Sequence, residues 1–290
     1  GAAKSGTSSL HEYLNQHPDI FMSEKKEPHY FSHSKIFKDK KYYYSLFAEA
    51  QTYLYRGESS TGYMVFPDVI ERIKSEIHDP KFIFILRNPI DRCFSHYNWV
   101  RSFQAEHRSF RNAVKHEMNV EPKTDLKFFG KGYKNYFQSG LYGKWIERFI
   151  AAFGIEKIYF LTSEELNSNP LNTLNRIFKF LELKEVQIIN EIRSNQTQHL
   201  KESVKFVAYV NSLKRKINSQ NPKIASLLRN MPVLKRLNKN FTTVNPNSVR
   251  SSPVEMDLKD RGWLRDLYNE DIKQLMRITG KTFPEWKDFN

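Results

Sequence analysis

The run Phe82-Ile83-Phe84-Ile85-Leu86 constrains this 290-residue chain more than any other stretch. It follows Lys81 and is apolar without alternation, the pattern of a strand that helices bury on both faces, as in parallel sheets. Arg87 comes next, then Asn88-Pro89-Ile90-Asp91. Asparagine as N-cap, proline at the first helical position and an acid in the first turn start a helix. Other segments repeat this alternation. Helices are expected over 10–16, 67–77, 141–153 (closed by Gly154), 170–181 and 258–277, and strands over 53–55 and 157–161. The helical faces are apolar: Val69, Ile70, Ile73 and Ile77; Leu174, Ile177, Phe178 and Leu181; and Leu264, Leu267, Tyr268, Ile272, Leu275 and Met276. No repeat and no domain boundary is visible, so one domain over 1–290 is expected.

Two clusters carry chemistry. Gly1-Ala2-Ala3-Lys4-Ser5-Gly6-Thr7-Ser8-Ser9-Leu10 combines small residues, one lysine and hydroxyls that open a helix. Inward N–H groups, a helix N-terminus and the Lys4 charge together hold a phosphate. The lysine precedes the glycine by two, which is not Walker order. Arg87 stands where a triphosphatase would carry a magnesium-binding acid, and both departures count against the alternative, a nucleotide kinase or triphosphatase. Arg87 ends a central strand, where open α/β sheets bind ligands, and Ser95 lies two turns into the next helix. Arginine plus hydroxyl can grip a second phosphate. Two such sites suggest a nucleotide phosphorylated at two positions. A loop of this kind follows a strand, so the expected fold is a P-loop-like doubly wound α/β sheet, mostly parallel, with helices on both faces and its first strand truncated.

Composition narrows the partners. With 39% hydrophobic residues the chain can bury a core, and no apolar run approaches the ~20 residues of a membrane span. A net charge of +14 favours anionic ligands. No nucleic-acid-binding motif and no Cys/His cluster with zinc spacing is present, so neither nucleic acid nor a metal is expected. Cys93 is the one cysteine, so no intramolecular disulfide can form. This favours a cytoplasmic setting, while a Golgi lumen stays open because the N-terminus reads as missing. The sequons at Asn195 and Asn240 matter only in a lumen. Cys93 reads as a packing residue, Tyr42-Tyr43-Tyr44 as a packed surface that could line an acceptor groove, and Lys35, Lys38, Lys40 and Lys41 as a solvated face that an acidic glycan could use.

The Lys4 loop and the segment from Phe82 to Tyr97 together resemble the sulfotransferase family, at its 5′-phosphosulfate loop and its 3′-phosphate motif. Lys26-Glu27-Pro28-His29-Tyr30-Phe31 resembles the segment that carries the catalytic glutamate in heparan sulfate N- and 3-O-sulfotransferases. Val254-Glu255-Met256-Asp257, the last helix and Phe283-Pro284-Glu285-Trp286 resemble the ending of that carbohydrate branch. The resemblance implies transfer of a sulfuryl group from 3′-phosphoadenosine 5′-phosphosulfate (PAPS) to a hydroxyl or amine, on a glycan or else on a lipid or other acceptor, with 3′-phosphoadenosine 5′-phosphate (PAP) as product. It implies that Lys4, Ser5, Gly6, Thr7, Ser8 and Ser9 bind the 5′-phosphosulfate and that Arg87 and Ser95 bind the 3′-phosphate. Arg250 and Ser251 would close over the nucleotide, Lys4 would stabilise the leaving group, and Glu27 would be the general base, with His29 as rival. On an extended segment, residues 27 and 29 would face the same side. The chain departs from 3-O-sulfotransferases at Glu58-Ser59-Ser60, where a lysine usually follows the glutamate, and it lacks the disulfide of luminal relatives.

Overall fold

The computed structural model describes residues 1–102, 106–120, 134–186 and 255–290. At its centre β3 (Phe82–Leu86) runs parallel to β4 (Ile158–Thr162), with Phe82 opposite Ile158 and Leu86 opposite Thr162. Successive strand residues point to opposite faces, so each strand feeds two cores. Phe84, Leu86, Ile158 and Phe160 enter one core with α4 (Val69–Glu76), α5 (Pro89–Ser102), α7 (Tyr142–Phe153) and α10 (Leu258–Thr279). Ile85 and Leu161 enter the other with α1 (Thr7–Leu14) and α9 (Pro170–Phe180). The apolar run thus has helices on both faces, as expected.

A second parallel pair joins β1 (Ile20–Met22) to β2 (Tyr55–Gly57), with Ile20 opposite Tyr55. β1 is absent from the sequence reading, and β2 begins where the expected 53–55 strand ends. Among the described residues the two pairs are separate ladders. A cavity of about 130 Å³ is lined by Gly1, Ser59, Ser60 and residues 82–85 of β3, among others. The Ala2 N–H donates to the Ile85 carbonyl at 3.2 Å.

The helix signals work locally. The Asn88 side chain accepts the Ile90 N–H at 3.0 Å, capping α5. Gly154, with φ 85°, ends α7. Asn169 caps α9, which starts at Pro170. Four helices were not expected: α2 (Ser34–Phe37), α3 (Lys40–Ser45), α6 (Phe110–Glu117) and α8 (Ser163–Ser168), the last opened by a Thr162–Glu165 capping box.

The C-terminal helix crosses α7 in close contact. A Cβ on Gly143 would meet the Asp271 carbonyl at 2.4 Å, and the Asp271 carboxylate accepts the Gly143 and Lys144 N–H groups at 2.8 and 2.9 Å. Those N–H groups have no partner within their own helix. Leu264, Tyr268, Ile272 and Leu275 are buried, with Leu267 and Met276 packed at the margin. In the tail, Phe283 stacks on Trp286 at 4.3 Å. Cys93 is fully buried and its thiol is pushed up to about 12 by that burial, so it packs as expected. Tyr43 is buried and stacks on Tyr30 at 4.0 Å, so the middle of the tyrosine run serves the core and only Tyr44 is largely exposed. No helix among the described residues is long and apolar enough to cross a membrane.

Candidate functional site

The chemistry gathers where β2, β3 and the loop before α1 meet. Gly6 is the N-cap of α1 with φ 84°, and Lys4 adopts φ 70°. Glycine takes this left-handed backbone freely; lysine does so at a cost. Ser5 and Ser9 are buried, and Thr7, Ser8 and Ser9 form the first turn, whose N–H groups have no partner within the helix. The Lys4 ammonium is solvent-accessible, yet its pKa is lowered, first by partial desolvation and then by Arg87 and Lys26.

Arg87 leaves the end of β3, and its Nη1 donates to the Lys4 carbonyl at 3.4 Å. The two anion sites separated in sequence are therefore neighbours. The Tyr142 hydroxyl, buried at the start of α7, donates to the Arg87 carbonyl at 2.8 Å. Ser95 lies on α5, half-buried.

The corner after Arg87 is held from three sides. The Asn88 N–H donates to Glu164 Oε1 at 3.1 Å, and its Nδ2 donates to Asp288 Oδ2 at 2.7 Å. Arg261, one turn into α10, donates to Asp288 through Nε (2.7 Å) and Nη2 (2.6 Å) and to Asp91 through Nη1 (2.7 Å). This ties the tail and last helix to the first turn of α5. Arg250 and Ser251 lie outside the described residues.

Glu27 and His29 do come together, but not on an extended strand. Both have φ 55°, and the segment bends along the end of β2. The Glu27 N–H donates to the Ser59 carbonyl (2.9 Å) and the His29 N–H to Ser60 Oγ (3.1 Å). Glu27 Oε2 accepts the Thr61 N–H (2.9 Å) and Thr61 Oγ1–H (3.2 Å), and lies 3.5 Å from His29 Nε2. The same-side expectation holds through these anchors rather than through strand alternation. The Glu27 side chain is 28% exposed against 8% for His29, and burial lowers the His29 pKa despite Glu27. Beneath them, burial pushes the Glu58 carboxyl up to about 7, against hydrogen bonds from Tyr63 and Ser60.

Sequence reasoning missed Thr61, Tyr142, Arg261 and Asp288, and passed over Lys26. The hydroxyl run Ser59-Ser60-Thr61 after β2 was a usable signal for Thr61. Tyr142, Arg261 and Asp288 reach the β3–α5 corner across 55, 170 and 200 residues of sequence, with no local pattern.

Comparison with known proteins fits this geometry. The sulfotransferase-domain family model matches residues 1–230. Mouse heparan sulfate glucosamine 3-O-sulfotransferase 3B1 is 28% identical over 198 residues, which are 68% of this chain and 48% of that protein. Bifunctional heparan sulfate N-deacetylase/N-sulfotransferase 1 of Caenorhabditis briggsae is 24% identical over 67% of this chain and 23% of its own length. A crystal structure of a sulfotransferase from Alicyclobacillus acidocaldarius superposes with a TM-score of 0.67 at 23% identity, covering 99% of this chain and 96% of that one, which places the fold. The chain spans about half the length of the 3-O-sulfotransferase relatives. With a family match that runs from the Lys4 loop through β4 and beyond, this chain belongs to the sulfotransferase domain family.

Proposed function

We propose that the protein transfers a sulfuryl group from PAPS to a hydroxyl or amine of a glycan. One observation carries the reading: Lys4, Arg87 and the Glu27 carboxylate converge at one end of the strands, linked through Lys26 and Thr7. The loop and Lys4 hold the 5′-phosphosulfate, and Lys4 meets the charge that grows on the leaving phosphate oxygen. Arg87, with Ser95, holds the 3′-phosphate and positions the donor away from the reacting bond. Glu27 takes the acceptor proton; it is the accessible member of the pair, and His29 braces it. The acceptor oxygen or nitrogen bonds to sulfur as the sulfur–oxygen bond to the phosphate breaks. The relatives named for heparan sulfate favour a carbohydrate acceptor. The exposed lysines 35, 38 and 41 on the α2–α3 segment favour an acidic one, while Lys40 is engaged by Glu76 at 2.6 Å.

Calorimetric titration with PAP, AMP and ATP tests the donor assignment. Wild type should bind PAP tightly and AMP weakly, and Arg87→Ala should remove the difference. Equal or tighter ATP binding overturns the reading and brings the kinase alternative forward.

A further inference from the structure

We propose that Lys26 is a catalytic residue whose ammonium group holds the sulfuryl group during transfer, opposite Lys4. The inference rests on the PAPS assignment above. Lys26 Nζ donates to Thr7 Oγ1 at 3.2 Å and lies 3.5 Å from Glu27 Oε1. Thr7 opens α1 on the donor side, and Glu27 marks the acceptor side. A group that moves from a phosphate held by the loop to an atom deprotonated by Glu27 must pass between these two contacts, and the Lys26 ammonium occupies that line.

Burial is the main cause of the lowered pKa values of Lys4, His11 and His29, and the Lys26 charge adds to it in each. The side chain is 26% exposed, so the ammonium is reachable by a ligand and not locked into the core. Lys4 and Arg87 lie on the loop side, 3.4 Å apart through the Lys4 carbonyl. Among the described residues, Lys26 is the cation with contacts on both sides.

The chemistry needs such a group. In transfer, the acceptor O–H gives its proton to Glu27 and the oxygen forms a bond to sulfur. The bond from sulfur to the 5′-phosphate oxygen breaks and its electron pair stays on the phosphate, leaving PAP and the sulfate ester. The non-bridging sulfuryl oxygens keep negative charge throughout, and a fixed cation in a partly water-excluded site stabilises it. The Lys26 ammonium donates to those oxygens, while Lys4 answers the separate charge on the leaving oxygen.

PAPS and PAP differ only in the sulfuryl group, so their affinities isolate this contact without any need to know the acceptor. By calorimetry, Lys26→Met should weaken PAPS binding about tenfold and leave PAP binding within about twofold of wild type, the loss expected for one charge-assisted contact. Intact PAP binding also reports that the variant is folded; Lys26→Gln serves as the second neutral variant, and Lys26→Arg should restore most of the PAPS affinity. Glu27→Gln should leave the PAPS/PAP ratio unchanged. Lys26 variants that weaken both ligands alike, or neither, overturn the role of Lys26 alone. A Glu27→Gln variant that reproduces the loss shows Lys26 acting only through Glu27 and overturns it too. A wild type that binds neither nucleotide overturns the donor reading, and the Lys26 role with it.

Discussion

Truncating Asp288 to alanine tests whether the C-terminal tail sets the geometry of a site about 200 residues away in sequence. Its carboxylate receives two hydrogen bonds from Arg261 and one from Asn88, all at 2.6–2.7 Å. The two side chains are 14% and 33% exposed. Truncation leaves Arg261 with Asp91 and strips the Asn88 amide of its acceptor. Fully buried, each orphaned donor would cost about 1–3 kcal/mol; a wholly exposed pair would be worth under about 1 kcal/mol. The clamp sits between these limits, so a loss of about 2 kcal/mol is expected, and Tm should fall by about 4–8 °C in scanning fluorimetry. Asn88 adjoins Arg87, so PAP affinity should fall while AMP affinity stays. The acid dependence has a sign. Burial alone would raise the Asp288 pKa, but its bonds to Arg261 and Asn88 outweigh that and hold it below the ordinary carboxylate value. A carboxyl with a lower pKa in the folded state contributes fully above its unfolded value, and the contribution is lost as pH falls through the folded value. The gap between wild type and variant should therefore close in acid. A Tm change under about 1 °C at neutral pH, or a gap that widens on acidification, refutes the reasoning.

Three further outcomes are expected. Glu27→Gln should lower turnover of PAPS with an accepted glycan by about 10²–10⁴-fold without weakening PAP, and a loss under about tenfold removes its assignment as base. Gly6→Ala should cost about 1–2 kcal/mol in a denaturant melt, because φ is 84° there although Ile85 leaves room for the methyl group at 3.5 Å. Cys93 should resist maleimide in the native protein and react only after unfolding, since a thiol near 12 is ionised to about 1 part in 10⁵ at neutral pH; labelling of the folded chain contradicts this.

The parts legible in the sequence are those that short-range physics decides. The β3–α5 unit follows from a buried apolar run, an Asn cap and a Pro start, all within about ten residues. The 3.6-residue faces of α4, α9 and α10 were equally visible, because periodicity is a local signal. The misses share a different cause. β1 has three residues, Ile20–Met22, and no alternation to read. α6, Phe110–Glu117, is as short as α4, but its buried face is Phe110, Ala113, Val114 and Glu117, with a small and a charged residue where α4 has Val69, Ile70 and Ile73. Within the site, the residue types at 4, 27, 29 and 87 could be read, but not how they approach. The extended backbone assumed for Glu27 and His29 ignored what Ser59, Ser60 and Thr61 impose from 31 to 34 residues away. Propensity cannot register a turn that another strand's end dictates.

That turn also explains why the site tolerates strain. Four non-glycine residues among those described have positive φ: Lys4, Glu27, His29 and Glu182. Glu182 follows the end of α9, where a left-handed residue commonly closes a helix. The other three stand in the candidate site, where no helix end accounts for Glu27 and His29. Such conformations cost of order 1–3 kcal/mol each unless glycine takes them, and they persist only where the surroundings over-determine them. The surroundings do so here: the Ser59 carbonyl and Ser60 hydroxyl hold the two N–H groups, and Thr61 holds the Glu27 carboxylate with two hydrogen bonds. Glycine at 27 or 29 would relieve the backbone and lose the carboxylate or the imidazole. A sequence that keeps lysine, glutamate and histidine at its strained positions sets side-chain chemistry above local stability, and it does so at the residues that the transfer reaction would use.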